Sequence, residues 1–148
     1  MLTLQPEKIA DLRVKHLEML QAAISRMASQ SASSKGFCIT LTTALLGLAV
    51  ANKLPKLGVL SFGPILAFAL LDTQYLRLER RFRAVFENVS LEDWAAMPSF
   101  KLTPAPASDH GYWACFFSWS IMVFYLPLSA GVAAILALIK ATAVVVSP

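Results

Sequence analysis

The sequence is poor in charge, and this shortage bounds the class of protein. Only 15% of its 148 residues are charged and 57% are hydrophobic, whereas soluble domains carry about 25% charged residues. Residues 36–52, 57–71 and 111–139 contain no charge at all, and the segments between them are charged. Such blocks are typical of membrane proteins rather than of soluble cores, and the length predicts a single domain over residues 1–148.

The sequence also lacks the residue patterns that catalysis and metal binding require. It has two cysteines, Cys38 and Cys115, both within apolar runs, so we expect free thiols. The two histidines, His16 and His110, belong to no recognisable nucleophile–base set, and no Gly-rich phosphate loop or metal-ligand spacing occurs. Residues 1–30 contain charges throughout, which argues against a cleavable signal peptide. We therefore predict a non-enzymatic protein without a cofactor or metal.

The stretch 57–89 joins an apolar run to a charged helix pattern without a break. Gly63 and Pro64 predict a kink near its start, and no further Gly or Pro occurs before residue 90. One helix can therefore leave a bilayer after residue 71 and continue into water. Apolar residues at three- and four-residue steps form the stripe of an amphipathic extension: Tyr75, Leu78, Phe82, Val85, Phe86 and Val89.

Residues 6–34 predict a second amphipathic helix. Its apolar stripe includes Leu17, Leu20 and Ile24, surrounded by acids and bases. The helix either lies flat on the membrane or packs against another helix. Packing is favoured because the stripe lacks Trp and Phe and the polar face mixes both signs of charge.

A first span is predicted over residues 36–52. Its helix of ~25 Å is slightly short for a hydrocarbon core of ~30 Å, but Lys35 and Lys53 can extend their charged ends to the interface. The preceding segment 29–36 is small and polar, and indicates either a break or a close approach of two helices.

The last charge-free run predicts a third span. As one helix, residues 111–139 would measure ~43 Å, which is more than one span needs and too little for two. We therefore predict a loop over residues 90–110, an aromatic interfacial helix over 112–125 and, after a join near Pro127, a span over 126–140.

The distribution of basic residues predicts an orientation. Of the 13 Lys and Arg residues, ten precede the first span or separate the second from the third, and Lys53, Lys56 and Lys140 lie on the other side. The positive-inside rule then predicts a cytoplasmic N-terminus and an external C-terminus. Both amphipathic helices would leave one hairpin on the same side and pack together as an antiparallel stalk. Because topology accounts for the basic residues, no nucleic acid is predicted as a partner.

Two features are candidate sites for a lipid, ligand or partner. Asp72 lies at the edge of the second span, and is either functional or an interfacial residue paired with an arginine or lysine. The basic cluster beyond it either binds lipid head groups or a nucleotide, or only retains this end inside. The cluster comprises Arg77, Arg80, Arg81 and Arg83.

The order of parts resembles the SLATT class of small two-span membrane effectors from bacterial defence systems. The residues that carry the resemblance are 17–27, Lys35 with Gly36, and above all 71–86. The resemblance covers about residues 10–90 and implies an effector that oligomerises and breaches the inner membrane once a sensor, often nucleotide-linked, detects phage. The third apolar segment and the lack of a large soluble region depart from that class, so sensing would fall to a separate soluble protein or to the stalk.

Three functions follow from these patterns. The first is a homo-oligomeric anti-phage effector that forms or gates a pore, and the second is a non-enzymatic anchor that recruits a soluble partner. The third is a nucleotide receptor that uses the arginines. In the first, small residues would let spans approach closely: Thr40, Thr43, Gly47, Ser61 and Gly63.

Overall fold

A computed structural model describes residues 5–106 and 111–146, and these residues form helices and connecting segments without any strand. The helices are α1 (Pro6–Ala51), α2 (Pro55–Val59), α3 (Phe62–Leu91), α4 (Tyr112–Phe116) and α5 (Trp119–Val146). Among the described residues, three helical segments are long and apolar enough to cross a membrane: Pro6–Ala51, Pro55–Leu91 and Trp119–Thr142. The all-α class is therefore confirmed, and the composition of these helices indicates a membrane location.

Residues 6–34 and 36–52 lie on one continuous helix, α1, so the break that segment 29–36 allowed does not occur. Segment 29–36 contains no proline, and its serines serve a close helix approach instead: Ser34 is buried, and the Ser31 hydroxyl reaches α3. At 1.5 Å a residue, α1 is about 70 Å long. It is therefore more than twice as long as one span requires.

The second span begins as the short helix α2, and the bend that follows lies before Gly63 rather than at it. The amides of Leu60 and Ser61 donate to carbonyls three residues earlier, so the chain passes from α2 to α3 through a tight turn. Pro64 then occupies the first turn of α3, where a missing N–H costs nothing. From there α3 continues to Leu91, slightly beyond the predicted end at residue 89, so the connection begins at residue 92 instead of 90. The next described helix, α4, begins at Tyr112.

The predicted join near Pro127, between an interfacial helix and the third span, is wrong. The helix break falls at Phe117 and Ser118, so the expected helix 112–125 is reduced to α4, and α5 passes through Pro127 without ending. The third span accordingly begins at Trp119 instead of residue 126.

Helices α1 and α3 lie antiparallel, and the two predicted stripes face each other. Lys35 meets Asp72 near the spans, and Arg13 meets Glu92 at the far end. We call residues 6–35 and 72–91 the stalk. Helix α5 packs against α3 and α2 beside the first span. The buried apolar core lies among these spans and comprises Cys38, Leu46, Ile65, Ala69, Ile121, Tyr125, Val132 and Leu136.

The segment after α3 returns along the stalk towards the spans. Its residues 92–106, which we call the strap, have no regular structure. The strap contacts Arg13 and His16 on α1 and Arg81 on α3 through its main-chain carbonyls. The stalk is therefore two helices with an extended segment laid against them.

Candidate functional site: a buried polar cluster where the stalk meets the spans

The most unusual group of side chains surrounds Asp72, which is completely buried. The ammonium of Lys35 lies 2.8 Å from Oδ2 of Asp72, and the hydroxyl of Ser31 donates to Oδ1. Lys35 also donates to Ser31 Oγ at 3.1 Å. Ser31 and Lys35 are four residues apart, so one face of α1 presents both groups to a single carboxylate of α3.

Helix α5 closes the cluster from a third side. Lys35 Nζ lies 5.9 Å from the centre of the Phe124 ring, which is within range of a cation–π contact. The neighbouring Tyr125 is 5% exposed, and its hydroxyl is buried without a hydrogen-bond partner among the described residues, within electrostatic reach of Asp72. The Lys35–Asp72 pair is thus held where α1, α3 and α5 meet.

This arrangement bears on the two interpretations of Asp72. The carboxylate is paired with a lysine, as the interfacial interpretation expects, but it is fully buried rather than solvated at an interface. A buried ion pair adds little net stability over an apolar pair, yet the loss of one partner is costly. Such a pair favours the arrangement of α1 and α3 that keeps the two charges together over arrangements that separate them.

The arginine cluster does not converge on one site. Arg80 donates to the thiol of Cys115, Arg81 to the carbonyl of Ala105, and Arg83 pairs with Glu79 on its own helix. Arg77 also has an interaction partner. Arg80 and Arg81 thus fix α3 to α4 and to the strap. Arg80 retains donors that the weakly accepting thiol does not use.

The predicted packing residues lie between or beside the two stalk helices. Leu20 and Ile24 are buried against α3. The others are half-buried: Leu17, Tyr75, Leu78, Phe82, Val85 and Phe86. Leu17 and Phe86 also line an open groove on the stalk surface.

Sequence reasoning missed two buried residues that hold the strap. Arg13, which is 2% exposed, donates through Nε to the carbonyl of Ala96 at 2.9 Å and lies 3.3 Å from Glu92. His16 Nε2 lies 3.3 Å from the carbonyl of Lys101. Because a carbonyl only accepts, Nε2 carries the proton, and Nδ1 is buried without a partner among the described residues. Their position in the sequence could have predicted their burial, because both residues lie on the face of α1 that carries Leu20 and Ile24.

The described residues contain no group of three or more His, Cys, Asp or Glu side chains that could hold a metal ion. Asp109 and His110 lie outside the described residues. A comparison with protein-family models, with curated proteins and with solved structures finds no match for this chain.

Proposed function

We propose that the protein is an oligomeric membrane effector of bacterial anti-phage defence, which forms or gates a pore in the inner membrane. The observation that carries the oligomeric part of the proposal is a stripe of small residues on the outer face of the first span, whereas the role in defence rests on the resemblance of residues 10–90 to the SLATT class. The stripe comprises Gly36, Thr40, Thr43 and Gly47, all exposed.

These four residues fall within roughly 60° of one another around α1, at about 100° a residue. Cys38, Thr42 and Ala49, which are buried within the chain, occupy the opposite side. A Cβ atom added at Gly36 or Gly47 would meet nothing within 4 Å. The hydroxyls of Thr40 and Thr43 donate hydrogen bonds to main-chain carbonyls of α1. Small, internally satisfied residues on a lipid-facing surface favour close contact between spans.

Contact between copies is needed for a pore because three spans are too few to enclose one. Ser61, which we expected to contribute to such contacts, is buried within the chain, whereas Gly63 is exposed. The proposed gate is the Lys35–Asp72 cluster, since a change in the stalk moves Lys35 relative to Asp72 at the point where both helices enter the spans.

The experiment that tests the proposal is the mass of the detergent-solubilised particle, combined with membrane depolarisation on overexpression. A Gly36→Leu, Gly47→Leu double variant is expected to reduce the particle mass and abolish depolarisation. The matched control is Ala44→Leu, an exposed position of the same span outside the stripe. A wild-type monomer or simple dimer, or a double variant that behaves as the control does, contradicts the proposal.

A second candidate function, an anchor for a soluble partner, is supported by the far end of the stalk. Leu91 is 79% exposed, Trp94 49% and Met97 56%. Leu91 lies 19 residues beyond Asp72 on α3, which places this end about 28 Å from Asp72, so these apolar side chains suit a protein partner. An anchor would leave cells polarised on overexpression, and Trp94→Ser would release the soluble partner.

A further inference from the structure

A groove between α3 and α5 opens towards the outside of the spans. It encloses about 330 Å³, and its walls include Phe62, Ile65 and Ala69 of α3 and Tyr125 of α5. Its nine lining residues are all apolar or aromatic except one serine, Ser129. That serine donates to the carbonyl of Tyr125, so it presents no unsatisfied donor.

The edges of the groove are exposed leucines: Leu66 is 60% exposed and Leu126 is 56% exposed. From Phe62 to Ala69 the groove follows α3 for about 10 Å, in the half of the second span that adjoins the stalk. In a chain whose spans lie in a bilayer, hydrocarbon chains are the medium that meets such a surface.

The guanidinium group of Arg80 lies near the end of the groove that faces the stalk. Phe116 of α4 lines the groove, and Arg80 Nη1 lies 3.7 Å from the sulfur of the preceding residue, Cys115. The Tyr112 hydroxyl donates to the carbonyl of Leu70 at 3.3 Å, which fixes α4 beside the end of the groove. Helical side chains lean towards the N-terminus of their helix, so the Arg80 side chain is directed back towards the spans.

Arg80 can therefore serve as an anion ligand. A thiol is a weak acceptor and uses one of the five guanidinium N–H groups, and within the described chain no carboxylate forms an ion pair with Arg80. Arg80 lies 11 residues beyond Ala69, about 16 Å along α3, and its side chain shortens that distance. A phosphate beside Arg80 and an acyl chain beside Ala69 can thus belong to one lipid molecule.

We propose that the α3–α5 groove binds one anionic phospholipid of the leaflet that adjoins the stalk. One acyl chain fills the groove between Leu66 and Leu126, and the phosphate is bound by Arg80 next to α4. The lipid then joins α3, α4 and α5 at the level where the buried polar cluster lies. This site depends on the membrane location alone, and it stands whether the protein acts as a pore or as an anchor.

Native mass spectrometry of the full chain in detergent, titrated with phosphatidylglycerol or phosphatidylcholine, tests the site. We expect one phosphatidylglycerol per chain, and about tenfold weaker apparent binding of phosphatidylcholine. Arg80→Gln should remove this preference, whereas Arg83→Gln, whose arginine pairs with Glu79 and is exposed, should retain it.

Two further comparisons locate the acyl chain. Ser129→Phe places a ring in the groove, and its control, Ala130→Phe, changes the next residue of α5, which is exposed and does not line the groove. We expect loss of the bound lipid in the first variant only, with helix content measured in both. Inorganic phosphate should not displace phosphatidylglycerol, because the chain supplies much of the binding.

The proposal is overturned by equal binding of the two lipids, by equal behaviour of Ser129→Phe and Ala130→Phe, or by displacement of phosphatidylglycerol with inorganic phosphate. If Ser129→Phe does not fold, Leu126→Ser and the phosphate competition decide the question. Leu126→Ser removes one apolar edge, and unchanged lipid retention in that variant contradicts the site.

Discussion

The ammonium of Lys35 lies 2.8 Å from Oδ2 of Asp72, and the two residues retain very different exposure. Asp72 is completely buried, whereas Lys35 keeps 21% of its side-chain surface exposed. The flexible stem of Lys35 can therefore carry its charge to water if the partner is lost. Asp72 lies on a buried face of α3, and its short side chain cannot carry its charge to water in the same way.

This difference in exposure predicts that removing the charge of Lys35 and removing the charge of Asp72 lower the stability by different amounts. Lys35→Met leaves a buried carboxylate without its counter-charge and is expected to cost about 3 kcal/mol, at the lower end for buried pairs because Lys35 is partly exposed. Asp72→Asn should cost less, because Lys35 can move outwards. Thermal unfolding in detergent, followed by circular dichroism, measures both shifts.

A double-mutant cycle gives the control for this prediction. Lys35→Met with Asp72→Asn should unfold at a higher temperature than Lys35→Met alone, because the unpaired charge is gone. Arg83→Gln, which breaks an exposed i,i+4 pair with Glu79, should cost at most about 0.5 kcal/mol. Additive losses in the Lys35–Asp72 cycle would contradict the coupling.

Arg13 is expected to protect the strap from proteolytic cleavage by holding it against α1. Arg13→Met removes a charged donor from the carbonyl of Ala96 and from Glu92, and hydrogen bonds of this kind contribute about 1.5–3 kcal/mol. Because cleavage of a segment tracks its local opening, a lysine-specific protease should cut after Lys101 about tenfold faster or more in this variant. Fragment masses over time measure the rate.

Arg26→Met is the matched control for the strap, because Arg26 is an exposed arginine of the same helix. It changes the same charge and removes the same side chain, and its cleavage rate at Lys101 should equal that of the wild type. Equal rates in the Arg13 and Arg26 variants would show that the strap is held by other contacts.

Gly58 allows α2 to approach α5 closely. A Cβ atom at this position would overlap Leu136 Cδ2 and lie 3.3 Å from the Ala49 Cβ. Gly58→Leu is therefore expected to destabilise the packed spans by about 1–3 kcal/mol. Adding Leu136→Ala should recover part of the loss, because it removes the overlapping atoms.

The same change at Gly131 of α5 is the control for Gly58. Gly131 is exposed and nothing lies within 4 Å of a Cβ at this position, so Gly131→Leu should leave the unfolding temperature nearly unchanged. Equal effects of the two substitutions, or no recovery on adding Leu136→Ala, would falsify the close approach of α2 and α5.

Much of the fold was predictable because its signals are local. The length of each charge-free run, the three- and four-residue spacing in residues 75–89 and the absence of Gly or Pro over residues 65–89 predicted helices long enough to span and to continue beyond a membrane. The matching stripes on residues 6–34 and 72–89 also predicted that these helices pack together. Helix boundaries were less accurate, since Pro127 is compatible with a continuing helix and the serines of segment 29–36 do not end one.

Hydrophobic periodicity and segment length are properties of neighbouring residues, and they were enough to predict the all-α class, the three apolar segments and the pairing of the stalk helices. The burial of the Lys35–Asp72 pair, the contacts of Arg13 and His16 with the strap and the position of Arg80 beside the α3–α5 groove became evident only in the folded chain. Those contacts join residues far apart in the chain, and no local pattern specifies which distant carbonyl, carboxylate or thiol a side chain will meet. Which residues meet depends on how the packed helices are rotated relative to one another. That rotation is set only when the apolar faces of all the helices are buried together.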